Sequence, residues 1–94
     1  MNNIGDMNWD ELQLAINEYL VDKKPIRGNW LVGVCAGFAT RFGGELSIIA
    51  TEEIFGACIK DGNSHILYAA VDTTLEHTLA RLFLRSVDAV YENQ

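Results

Sequence analysis

His65 and His77 are the two histidines of the sequence, and no other side-chain type titrates near neutral pH without help from its surroundings. A histidine base works on a nucleophile or a metal-bound water held within hydrogen-bond reach. Nothing near either residue supplies one: there is no HxH or HxxxH spacing, and Cys35 and Cys58 each stand in an apolar run with no CxxC pair. A dyad of Cys58 with His65, or of Cys35 with His77, would need a proximity that sequence separation does not give. Glu52 and Glu53 are adjacent, so on an extended chain they point to opposite sides and form no acid/base pair; they read as a solvated turn. Gly28 to Gly33 begins like a phosphate loop but is followed by Val34 where the phosphate-binding Lys should stand. The chemistry-bearing residues therefore predict no enzyme, no metal, no cofactor and two buried thiols. His65 reads as a half-exposed strand-end residue and His77 as a surface residue.

The bulk composition narrows the remaining classes. The chain has 94 residues, 49% hydrophobic, with 13 acidic against 7 basic side chains and a formal net charge of −6. One domain with a single core is expected, large enough to fold without metals or disulfides. Phosphate backbones are repelled by that charge, and seven basic residues form no obvious patch, which disfavours direct nucleic-acid binding. Residues 1–20 lack a basic segment followed by an apolar run, so they do not read as a secretory signal. The uncharged stretch Gly28 to Thr40 is 13 residues long, shorter than the roughly 20 a membrane span requires. The expectation is a cytoplasmic protein with no membrane association.

The elements that would position these residues follow from periodicity. Asn8 before Trp9, with Glu11 three residues on, reads as a capping box, and Trp9, Leu12, Ile16, Tyr19 and Leu20 continue as one helical stripe that ends before Pro25. Lys23 and Lys24 would complement the dipole at that helix's end. Gly28 to Thr40 is read as a strand, because Val32, Val34, Gly33 and Gly37 make a poor helix and Gly43-Gly44 resembles a hairpin turn. Its faces would be Trp30, Val32, Val34, Ala36 and Phe38 against Leu31, Gly33, Cys35, Gly37 and Ala39, with Phe38 opposite Ile49. A helix there would instead give helix, helix, hairpin, helix.

A second hairpin is predicted around Asp61-Gly62-Asn63-Ser64, with Lys60 opposite His65. That register groups Phe55, Ala57, Ile59, Ile66, Tyr68 and Ala70 on one face and Ile54, Gly56, Cys58, Leu67, Ala69 and Val71 on the other. Neither face is polar, so the second is expected to be covered by a helix or by another copy of the chain. Thr73 with Glu76 matches a capping box, followed by a helical stripe of Leu75, Leu79, Leu82, Phe83, Ser86, Val87 and Val90. The predicted fold is α+β, an antiparallel four-stranded meander flanked by terminal helices in the order α-β-β-β-β-α.

Two sets of residues read as contact surfaces. His77, Arg81, Leu84, Asp88 and Tyr91 form a second stripe on the C-terminal helix and are the candidates for binding a partner. Gly33, Cys35, Gly37 and Ala39, small residues along one strand face, are the candidates for contact between copies in a homo-oligomer. The expected function is a small acidic protein-binding domain that inhibits a partner protein. By analogy of size and charge alone, this class includes phage inhibitors of host defence such as anti-CRISPR proteins, and toxin-immunity proteins. The alternatives are a cytosolic adaptor or chaperone, and a small-ligand binder with a site between subunits built from Arg81, His77, Tyr91 and His65.

Overall fold

The computed structural model describes residues 4–20 and 26–92, with side chains up to Val87. A 3-10 turn, Ile4–Asp6, leads into helix α1, Trp9–Asn17, and helix α2 follows at Gly28–Arg41. Strands β1 (Glu45–Ala50), β2 (Phe55–Lys60) and β3 (Ile66–Asp72) precede helix α3, Leu75–Glu92. The strands form one antiparallel sheet in the order β1-β2-β3. Among the described residues the fold is thus α+β with three α-helices and a three-stranded sheet, and the four-stranded meander is corrected.

The correction lies wholly in Gly28 to Arg41. Leu31, Cys35 and Ala39 are buried along one line of α2 while Gly33 and Gly37 between them are exposed, a pattern that belongs to a helix, since a strand would bury all five on one face. What resembled a hairpin turn is the stop of this helix. Gly43 has φ of 77°, its N–H donates to the Thr40 carbonyl at 2.9 Å, and the Gly44 N–H donates to the Ala39 carbonyl at 2.9 Å. These two bonds are a Schellman cap, which favours glycine at the left-handed position. Gly44 is required for a second reason: a Cβ there would collide with the Lys60 carbonyl.

With α2 a helix, β1 pairs with β2, placing Ile48 opposite Ala57 and Ile49 opposite Gly56. Thr51 closes this hairpin, its N–H donating to the Ile54 carbonyl at 2.9 Å while its Oγ1 accepts from the Ile54 N–H at 3.1 Å. The β2-β3 hairpin turns where the sequence indicates. Asp61 Oδ1 accepts from the Asn63 and His65 N–H groups at 2.8 and 3.0 Å, which holds the Asp61 carboxyl below its ordinary range. An irregularity at Ile59/Lys60 then shifts the pairing so that Ile59 faces Tyr68 and Ala57 faces Ala70. Relative to the expected register this is an offset of two, which keeps most side chains on their expected face. Ile66 is the exception; the bulge turns it out, to 62% exposure.

The capping box at Asn8 and Glu11 is present, with both reciprocal bonds formed. Lys23, Lys24 and Pro25 lie outside the described residues. At α3 the cap is Thr74, not Thr73: its Oγ1 accepts the His77 N–H at 3.1 Å. Helix α3 is the centre of the fold, packed on α1, α2, β2, β3 and the 3-10 turn. Phe83 is its hub, with its ring 5.6 Å from both Trp30 and Phe38 and 6.3 Å from Tyr19. No helix among the described residues is long and apolar enough to cross a membrane.

Candidate interaction surfaces

Because α3 is surrounded, its second stripe is not a continuous outer surface. Leu84 is buried in the core with Leu79, Leu82 and Val87. Arg81 is turned inward as well: its Nε donates to Asp72 Oδ2 at 2.7 Å, and its Nη1 donates to the Ile4 carbonyl. One guanidinium therefore ties α3 to the end of β3 and to the 3-10 turn. Burial alone would push the Asp72 carboxyl up, but the Arg81 bond, the Thr73 N–H and hydroxyl, and the Arg81 charge together hold it below its ordinary value. Asp88 and Tyr91 belong to the last turns of α3, where side chains are outside the description.

His77 lies in an open groove of about 830 Å³ where the first turns of the three helices meet, lined by Trp9, Val32, Phe55 and Leu75 among others. Its ring stands edge-on to Trp9 at 4.9 Å, and its Nδ1 shares a hydrogen bond with Thr74 Oγ1. The arrangement orients the imidazole as part of a helix cap. His65 stands at the far end of the sheet, on the β2-β3 turn; the seven-residue length of β3 separates the two by roughly 20 Å. The structure does not bring His65, His77 and Arg81 into one site. Among the described residues no group of three His, Cys, Asp or Glu side chains is placed to hold a metal.

The small residues of α2 divide between two sides. Cys35 and Ala39 are in the core, where the Cys35 thiol donates to the Leu79 carbonyl at 3.6 Å and burial pushes its pKa up to about 12. Gly33 and Gly37 face outward, with nothing within 4 Å of where a Cβ would stand. Cys58 is on the opposite side of the sheet from Cys35, and both thiols are free.

The least expected surface is the outer face of the sheet. Strand alternation puts Ala57, Ile59 and Ala70 against the helices, all at most 5% exposed, and turns Ser47, Ile49, Gly56, Cys58, Ala69 and Val71 the other way. No described element lies over that second set. Ile49 and Val71 remain 67% and 59% exposed, and they wall a shallow apolar depression of about 180 Å³ floored by Gly56 and the strand backbone. Charge stands at the rim of this face: Glu45 with Lys60 at one end, the exposed Glu52-Glu53 loop at the other, and the Arg85 guanidinium at the β3 edge beside Ala69. The strand pattern signalled the β2 and β3 part of it; the contribution of Ile49 was hidden while β1 was paired with residues 28–40.

Comparison with known proteins adds no relative: no family model, no curated protein and no solved structure matches this chain.

Proposed function

We propose that this chain is a non-enzymatic protein-binding domain that inhibits a partner by covering part of its surface, and that the open sheet face is what it presents. The observation that carries the reading is the uncharged outer face of Ile49, Gly56, Cys58, Ala69 and Val71, apolar enough for a core yet uncovered among the described residues. Monomeric proteins rarely leave such a contiguous patch without a use. Its depression has room for a single large side chain of a folded partner, which favours an inhibitor over a chaperone that holds an extended segment. The exposed Glu52-Glu53 loop at one end, on a chain of net charge −6, fits a partner whose apolar knob has Lys or Arg on that side. A cytoplasmic setting accords with two free thiols. The kinship with anti-defence and toxin-immunity inhibitors is a proposal from size and charge.

The test is capture from nuclease-treated lysate by the wild-type chain and by Val71→Asp, with the captured protein identified and the mass of the complex measured. A single stoichiometric partner with a basic contact surface, retained by Gly33→Ala and lost by Val71→Asp, is the expected result. Equal capture by Val71→Asp would remove the open face from the account.

A further inference from the structure

The two edges of the sheet are not equivalent. Along β3, Arg85 Nη1 donates to the Ala69 carbonyl at 2.6 Å, so a side chain already occupies that edge. Strand β1, the other edge, has β2 on one side and no described strand on the other. The bond from the Thr51 N–H to the Ile54 carbonyl fixes which backbone groups face β2. Antiparallel alternation then gives Glu45, Ser47 and Ile49 to β2 and leaves the N–H and C=O groups of Leu46, Ile48 and Ala50 directed at the free edge. An apolar edge strand with a row of unpaired backbone groups is a template for another strand.

We infer that the occupant of the β1 edge is β1 of a second copy of this chain, joining two three-stranded sheets into one six-stranded sheet about a two-fold axis. The inference adds a surface to the open face and does not depend on it. Opposite residues of an antiparallel pair must share a face, and bonded pairs must use the outward-directed groups. Both conditions are met by the register that sets Ile48 against Ile48 of the other copy and Leu46 against Ala50. Three bonded pairs, about six hydrogen bonds, then form across the axis. Ile48, on the helix side of the sheet yet 41% exposed, gains an apolar neighbour. No like charges oppose in this register: Glu45 faces Thr51, and Glu52 faces Gly44. The acidic Glu52-Glu53 loop of each copy thereby reaches the other's Arg41–Gly44 corner, where Arg41 is exposed, and the two-fold axis makes this charge match twice.

The test is the mass in solution of the full chain and of Ile48→Lys, Ile48→Glu and Ala50→Pro, measured by light scattering over a dilution series. The wild-type chain is expected at twice the 10.5 kDa chain mass, and each Ile48 variant at half the wild-type value, since like charges then meet on the axis. Mixing Ile48→Lys with Ile48→Glu restores the doubled mass, an outcome open only to folded chains that pair at this residue. Ala50→Pro deletes an N–H directed at the free edge, leaves the β1-β2 ladder intact and also halves the mass, which keeps the test decisive should the Ile48 variants fail to fold. A monomeric wild type, a doubled mass that survives Ile48→Lys or Ala50→Pro, or a mixture of folded Ile48 variants that stays monomeric would overturn the inference.

Discussion

The two faces of the β2-β3 hairpin are built from nearly the same side chains and meet opposite fates. Ala57, Ile59 and Ala70 vanish beneath α2 and α3, while Gly56, Cys58, Ala69 and Val71, one residue along in the same strands, face outward. An antiparallel sheet with one solvated side ordinarily alternates apolar with polar residues. Here both faces carry small and apolar residues, so the outer face retains the composition of a core without the cover. The absence of polar residues, and not the presence of any motif, marks it as a contact surface.

Changes on the two faces are therefore expected to have unequal effects. The largest is expected inside: Ile59→Ala opens a cavity in the packed layer and lowers unfolding stability by about 3 kcal/mol, read by urea denaturation. Gly44→Ala follows at about 2 kcal/mol, because the new Cβ meets the Lys60 carbonyl and the corner must shift. Arg81→Ala removes the bond to Asp72 and costs about 2 kcal/mol in the same measurement. The same pair gives the pH dependence. Asp72 titrates lower in the folded chain than in the unfolded one, so its contribution is present above the unfolded value of about 3.9 and is lost as the pH falls through the lower folded value. Asp72→Asn should flatten the fall in the urea midpoint over that acid range. Outward positions behave differently: Gly33→Ala and Gly37→Ala, with open space around each, should raise stability by about 0.5–1 kcal/mol. The smallest change is Val71→Asp, within about 0.5 kcal/mol of wild type, although it abolishes partner capture.

The elements that the sequence made legible share one property, a local signal that tertiary packing reinforced. The Asn8–Glu11 box, the Asp61 turn and the apolar spacing of α3 are of this kind. Helix α2 is where local and global signals conflict: two glycines and two valines weaken the helix, and Gly43-Gly44 serves a helix stop as readily as a hairpin turn. What separates the readings is that Gly33 and Gly37 are exposed between buried Leu31, Cys35 and Ala39, a burial difference that residue types do not show. Within the stripe from His77 to Tyr91, Leu84 and Arg81 depart from the expected contact face for another reason. A helix packed on most of its circumference shows two stripes, so Leu84 and Arg81 look like a contact face while one fills the core and the other ties down the 3-10 turn. The open face was half legible, through Gly56, Cys58, Ala69 and Val71; the bulge at Ile59/Lys60 and the partner of β1 were not, because neither leaves a residue-type signature.

Cys58 offers the most direct test of the open face, because it stands near the centre of that face while Cys35 is buried with its thiol pKa pushed up to about 12. A thiol-reactive chromophore, applied to the native chain alone and to the chain bound to its captured partner, should modify one cysteine per free chain and none per complex. Pairing through β1 leaves Cys58 accessible, so the free count holds whether the chain is single or paired. A Cys58 that reacts only after denaturation, or one that reacts as readily in the complex as in the free chain, would contradict the claim that this face is open and is where the partner binds.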